Sequence, residues 1–444
     1  MQHHYLRLGG TQYLLCAPQA TSDGKSTGYG NLLRHIEQAV RSAAALRATL
    51  FLIPPRRPLN AAVYDLDSPD VAMIGQADWR APLLRLVWWL ATPVRYGAPV
   101  AWIAAGAARR LRRPIDAAKL WARRRGWRAL DRRLDALGHR SRDTAKAYAD
   151  RTTDAWSALY AAARAEARAT GSKRHRVRLQ LRPDAQRAVD RLAAGAGLDV
   201  NRPIVTLHVR ESGYRRREAQ RQQDLDRLRD ARIETYGAAT GWLQERGYQV
   251  VRIGDPSMRP CTLPGVIDLA TADWRTDAFE LWALFQSRFF IASDSGPYFL
   301  AQLAGVPCLA VNVIQVGYYT LRSADRYVCK RVRDLRAQRL LGVAEMLTEA
   351  FIRNPLDVTR YEWLDNSDAD IHEAVAEMIA ALDAPGTPRT AFQEHHDALL
   401  GALSVQWTPA WRSRTSLLFR RRGPGTISPG FAARYLDPGG SSEP

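Results

Sequence analysis

The 444-residue chain predicts an α/β fold with parallel sheets in two domains, and three stretches carry that prediction. Residues 288–314, RFFIASDSGPYFLAQLAGVPCLAVNVI, read as strand, turn, helix and strand. Two short apolar runs, FFIA and VPCLAVNVI, have the length and composition of buried parallel strands. Residues 201–255 repeat the alternation, from the β-rich run IVTLHV through a helical pattern to YQVVRIG. Residues 12–53 give a third instance, in which TQYLLCAP, a glycine-bearing turn, LLRHIEQAVRSAAAL and RATLFLI read as strand, turn, helix and strand. Strands alternating with helices are the signature of parallel sheets with crossover helices.

Taken in order, the first domain spans 1–200, with the Gly28-Tyr29-Gly30-Asn31 turn placed after its first strand. Residues 54–78 read as irregular because of Pro54, Pro55, Pro58 and Pro69. A helical insertion over 79–170 begins with WRAPLLRLVWWLATPVRYGAPVAWIAAGAARRLRRPIDAAKLWARRRGW, which is at once apolar, aromatic and basic. Arg85, Arg95, Pro93 and Pro99 interrupt every window long enough to span a bilayer. Two readings stay open for it: an amphipathic segment on an anionic membrane surface, or a helical insertion packed on its own domain. The second domain, 201–383, begins with IVTLHV, which ends on His208, Val209, Arg210 and Glu211; Asp255 follows the strand YQVVRIG. In the turn Ser293-Asp294-Ser295-Gly296-Pro297, one of Ser293, Asp294 or Ser295 is expected to cap the following helix, with Pro297 in its first turn. A helix over residues 371–382 closes this domain. The Pro/Gly/Arg-rich tail, 384–444, is expected to cross back onto the first domain or stay loose.

A formal charge of +19 implies an anionic partner. No zinc finger, aromatic RNA-binding pattern or KH-type loop accompanies the arginines, so the expectation is a phosphorylated substrate or anionic lipid and no nucleic acid. Four scattered cysteines with no metal-ligand spacing fit a reducing compartment, and MQHHYLRLGG lacks the apolar core of a signal peptide. The expected location is the cytoplasm, with the inner face of the cell membrane open as a docking surface.

Arg210 stands at the carboxyl end of a strand, where open α/β sheets collect ligand-binding residues, and a guanidinium there can hold a diphosphate. Glu211, Asp255 and Asp294 are candidate bases by the same placement. Each could equally be a cap or an arginine's ion-pair partner. Asp65-Leu66-Asp67, Asp224-Leu225-Asp226 and Asp368-Ala369-Asp370 match the letters of a metal-binding DxD. None follows a clear strand, so they read as solvated carboxylates, with no metal expected. The pairs His3-His4 and His395-His396 read as surface residues.

HVRESG, GYQVVRIGD, GVIDLA and FFIASDSGPYFLAQLAGVPCLAVN together resemble a family of bacterial glycosyltransferases with two facing Rossmann-like domains, the GT-B architecture. They are similar, more distantly, to the fucosyltransferase superfamily, whose N-terminal glycine-loop helix GYGN resembles. The resemblance covers residues 10–53 and 200–315, and 355–380 more loosely. It implies sugar transfer from a nucleotide-sugar to a glycan or lipid-linked acceptor in bacterial surface-glycan synthesis. By this resemblance Arg210 would contact the donor diphosphate, and His208 would shape the donor site. Ser293, Asp294, Ser295 and Gly296 would meet phosphates or nucleoside, while Gly28, Gly30 and Asn31 would lie on the acceptor side. Gly213 stands where the superfamily commonly carries an acidic residue, which speaks against GDP-fucose as the donor. Two other classes remain open: another nucleotide-sugar enzyme of this architecture, such as an epimerase or hydrolase, and a non-catalytic anion-binding assembly protein.

Overall fold

A computed structural model describes residues 2–8, 10–17, 29–54, 60–95, 178–211, 228–314, 323–346, 357–386 and 425–435, with the single positions 320, 348, 351, 390, 391, 393–396 and 398. Gly28, the insertion beyond residue 95 up to 177, and Asp224-Leu225-Asp226 lie outside the described residues. The chain forms two compact units, 1–182 and 183–444.

In the first unit, strands β1 (Gln2–Leu8) and β2 (Thr11–Ala17) form an antiparallel hairpin, which the sequence reading left out. Gly10 in the connection has φ +85, a conformation glycine adopts without Cβ strain. Helix α1 (Tyr29–Ala45) leads from β2 to β3 (Thr49–Leu52), parallel to it. Its apolar side, Leu32, Leu33, Ile36, Val40 and Ala43, is fully buried. Because α1 starts at Tyr29, Gly30 and Asn31 belong to its first turn, not to a loop before it.

Residues 54–78 hold a 3₁₀ turn (Ala62–Tyr64) and two short strands, β4 (Leu66–Asp67) and β5 (Met73–Ile74). Strand β5 extends the sheet beside β3, and β4 pairs with β6 (Gln180–Leu181). Helix α2 (Ala81–Arg95) lays Ala81 and Leu84, with the partly buried Val87 and Trp88, on Tyr13, Leu15, Phe51 and Ile74.

The second unit opens with helix α3 (Pro183–Gly195), upstream of the boundary at residue 200 that the sequence suggests. The reason is tertiary: Trp282 Nε1 donates to Asp190 on α3 at 2.8 Å, so α3 packs with the later part of the chain. Then come β7 (Ile204–His208), α4 (Gly237–Glu245), β8 (Gln249–Arg252), β9 (Ile267–Asp268), α5 (Asp277–Phe285), β10 (Ser287–Ala292), α6 (Pro297–Ala304), β11 (Cys308–Val313) and β12 (Arg326–Cys329). A three-stranded antiparallel sheet follows, of β13 (Arg331–Asp334), β14 (Arg339–Leu340) and β15 (Tyr361–Leu364), with the short α7 (Val343–Met346) between β14 and β15.

Helix α8 (Asp368–Asp383) starts at a reciprocal Ser367–Asp370 capping box, and the glycine after α6, Gly305, ends that helix in the left-handed region at φ +88. From the tail, β16 (Thr426–Ile427) pairs with β12 and α9 (Pro429–Tyr435) packs on α8. These tail residues therefore complete the second unit.

The large sheet is parallel throughout, in the order β16-β12-β11-β10-β7-β8-β9. All five residues of β7, and all of β11, are buried, as expected of central strands covered on both faces. Helices α4, α8 and α9 pack together, as do α3, α5 and α6.

Candidate functional site at the sheet switch point

Chain order reverses direction between β7 and β10. From β7 the chain moves outward through β8 to β9; from β10 it moves the other way, through β11 to β12. Connections that depart to opposite sides leave a crevice outside the carboxyl ends of the two central strands, the usual ligand position in open α/β sheets. His208 and Arg210 stand at the end of β7, and Ser293–Gly296 at the end of β10. The two segments are stitched together. Ser293 N–H donates to His208 O at 3.0 Å, and Arg210 N–H donates to Ser293 Oγ at 2.7 Å.

This stitching corrects the expected cap. The N-cap of α6 is Gly296, with no side-chain cap. Ser293 is spent on Arg210, and Asp294 Oδ2 pairs with Arg229 Nε at 3.0 Å. Ser295 is 5% exposed, and its hydroxyl has no hydrogen-bond partner among the described residues. The N-cap residue of α6 therefore supplies no side-chain cap to the positive dipole end of the helix.

Charges not singled out from the sequence complete the site. Arg210 Nε donates to Asp230 Oδ1 at 3.1 Å. Lys330, buried just after β12, donates to the Asp230 carbonyl and to Asp365 Oδ1, both at 2.7 Å. Arg229 Nε also reaches the Asp294 carbonyl at 3.0 Å. Burial pushes the Asp230 carboxyl above its ordinary value, against the opposing pull of Arg210, Lys330 and Arg229. Beside Lys330, Asn312 and Asn366 exchange reciprocal bonds (Asn312 N to Asn366 Oδ1 2.8 Å, Asn366 N to Asn312 Oδ1 2.6 Å), with Asn312 at φ +56. The faint signals for these residues were an asparagine inside the apolar run CLAVNV and a lysine closing RYVCK.

His208 is held neutral. Burial, with Arg252 and Arg210 nearby, lowers its pKa to about 4, and Nδ1–H donates to Ile253 O at 3.1 Å, which leaves Nε2 as an acceptor. In the unfolded chain the same imidazole binds a proton below its ordinary value of about 6.5. The unfolded state therefore holds more protons between those values, and stability falls as pH drops from about 6.5 to about 4. Glu280, pushed up to about 7 by burial despite Arg275, acts in the opposite sense between its ordinary value and 7. His208→Gln should remove up to about 3 kcal/mol of the acid-side loss. Urea unfolding at pH 4 and 7, read as variant minus wild type, isolates this term from that of Glu280.

Two sequence candidates for proton transfer, Glu211 and Asp255, are engaged by nearby groups. Glu211 is buried, with Oε1 accepting from Arg252 Nη2 at 3.0 Å and Oε2 from Arg259 N–H at 3.3 Å. Arg252 is fully buried on β8 and also donates to Asp268 Oδ1 and Oδ2 at 3.2 and 3.1 Å. An arginine inside the apolar strand YQVVRIG was the available signal, since a buried guanidinium must find carboxylates. Asp255 shapes the turn after β8, where Oδ1 accepts from Ser257 N–H at 2.8 Å.

Of the DxD matches, Asp65 Oδ1 accepts from Gln76 N–H at 2.7 Å and Arg182 Nε at 3.3 Å, while Asp368 and Asp370 sit in the first turn of α8. Among the described residues no three His, Cys, Asp or Glu side chains are grouped to hold a metal ion. His396 is buried, with Nε2 3.1 Å from Tyr327 Oη, contrary to the surface placement expected of it; its neighbour His395 is exposed. No helix among the described residues is long and apolar enough to cross a membrane.

No known protein family matches the chain, and no curated protein matches it in sequence. Among solved structures it is similar to the glycosyl transferase family 9 from Veillonella parvula DSM 2008, at 14% identity and a TM-score of 0.25. The match covers 35% of this chain and 42% of that one, less than half of either. What the chain's own geometry defines is an α/β protein with a seven-stranded parallel sheet, whose switch point brings Arg210 and Ser293 together.

Proposed function

We propose that the protein is a glycosyltransferase that binds a nucleoside-diphosphate sugar at the carboxyl ends of β7 and β10. One observation carries this reading. Arg210 and Ser293, 83 residues apart in sequence, meet at the switch point, beside a helix N-terminus without a side-chain cap and the unpartnered Ser295 hydroxyl. Helix N–H groups and a guanidinium suit a diphosphate. As the bond from the sugar to the diphosphate oxygen breaks, negative charge grows on the leaving diphosphate, and preorganised donors at that point stabilise it. In this reading Arg210, the start of α6 and Ser295 hold the leaving group, and His208 shapes the pocket with a neutral ring. Glu211 and Asp255 are given no proton-transfer role, because their carboxylates are engaged in the Arg252 ion pairs and in a turn. No metal is part of the proposal. The wider setting rests on the sequence resemblance: transfer to a glycan or lipid-linked acceptor in surface-glycan synthesis, in the cytoplasm or at the inner membrane face.

A second reading, a non-catalytic anion-binding protein, draws on the pairing of the site's cations. Arg210, Arg229 and Lys330 pair with Asp230, Asp294 and Asp365, and the exposed Arg232 lies 4.0 Å from Asp365. Thermal-shift titration with UDP, GDP, ADP and CMP, followed by product analysis with the responding nucleotide's sugars, separates the two, because a ligand that binds only the folded state raises its apparent stability. Response to a nucleoside diphosphate with sugar transfer supports the first; response without turnover supports the second.

Ser295→Ala gives a finer test. Removing a buried, unpartnered hydroxyl should leave the unliganded protein as stable as wild type or about 1 kcal/mol more so, while weakening nucleoside-diphosphate binding about three- to tenfold. Loss of stability with unchanged binding would count against the site.

A further inference from the structure

Helix α2 carries apolar side chains on two sides. One side packs on the first unit's core through Ala81 and Leu84. Away from these buried positions, Trp79 just before the helix is 81% exposed, and Leu83 and Leu86 are each 51% exposed. Leu83 and Leu86, at i and i+3, share one helical face, and Trp79 precedes the helix by two residues. Scattered exposed leucines are ordinary on a protein surface; two leucines on one helical face with a highly exposed tryptophan just before the helix form a larger apolar patch. Arg85, between the leucines in sequence, is exposed on the flank of the helix and donates to Gln76 Oε1 at 2.7 Å. Asp78, shortly before the helix, is paired with Arg80 at 2.7 Å. Further along the sequence, residues 109–142 hold twelve arginines and one lysine against three aspartates, a net of +10.

An apolar patch with cationic sequence after it matches a surface that is apolar below and anionic above. We propose that the Trp79-Leu83-Leu86 patch is a docking surface for an anionic lipid bilayer, on which α2 lies in the plane of the headgroups. Tryptophan and leucine enter the acyl boundary, and Arg85 stays at headgroup level. This surface belongs to the first unit and does not depend on the reaction proposed for the second.

The test is flotation of the full chain with two kinds of vesicle, phosphatidylcholine alone and phosphatidylcholine with about a third phosphatidylglycerol. Wild type and a Trp79→Ser/Leu83→Ser/Leu86→Ser triple variant are compared. Val200→Ser/Val358→Ser, which removes two exposed apolar groups elsewhere, is the control. The expected result is retention on anionic vesicles that falls by at least about tenfold in the triple variant and is unchanged in the control. Equal retention on both vesicle types, retention that survives the triple variant, or no retention of wild type would each overturn the proposal. So would a clear drop in the triple variant's melting temperature, since the patch would then be covered by this chain's own residues. A wild-type dimer that the triple variant splits would assign the patch to a second copy.

Discussion

Arg210→Ala is expected to lower kcat/KM for sugar transfer by about a hundred- to a thousandfold, the range seen when a preorganised donor to a developing anion is removed. The guanidinium, its side chain 11% exposed, is oriented by Asp230 beyond the end of β7. Truncation therefore removes both the charge and its aim. Arg210→Lys keeps the charge but loses the planar fork, so it should recover only part of the lost rate. Folding stability should change less than activity, because the backbone bond from Arg210 N–H to Ser293 Oγ does not depend on the side chain. Steady-state kinetics with the nucleotide-sugar found by thermal shift, together with nucleoside-diphosphate titration of the same variants, provide the check. Unchanged kcat/KM, with altered stability, would make Arg210 a structural residue.

The second large effect concerns stability. Arg252→Ala should destabilise the second unit by about 3–5 kcal/mol, because it strands the buried Glu211 carboxylate and takes the guanidinium from Asp268. Arg252→Met, with Glu211→Gln and Asp268→Asn, should recover much of that loss, since breaking a buried ion pair costs more than replacing it entirely. Urea unfolding of the four proteins, wild type, R252A, the triple variant and E211Q, measures this. If R252A unfolds at the wild-type urea concentration, the ion-pair cluster contributes nothing to the fold.

Local pattern explains what the sequence made legible. The element order of residues 288–314 could be read because each signal lies within a few residues of what it controls: a short apolar run, a proline at the first helical position, and Gly305 in the left-handed region. Arg210 and the SDSGP turn could be placed at strand ends for the same reason. The cap of α6 could not be read, because Ser293 and Asp294 are claimed by Arg210 and Arg229, which are distant in sequence. Glu211 looked like a candidate base beside Arg210, whereas its partner Arg252 lies 41 residues downstream. Asp230 and Lys330 are 100 residues apart, and neither sequence position marks the other as its partner. The β1–β2 hairpin is a different matter, since the Gly9-Gly10 pair between two β-rich runs was a usable turn signal.

The pairing of β7 with β10 also bears on how the protein reaches its native state. These central strands are neighbours in space, yet Ile204 pairs with Ser287 across an intervening stretch that contains β8, β9 and two helices. Non-local parallel pairing closes slowly, because loop entropy is lost before contacts repay it. The crevice does not exist until that pairing is complete. A chain emerging from synthesis must finish β10 before Arg210 meets Ser293, so any ligand of this site acts on a finished sheet, holding its two halves together instead of guiding their assembly.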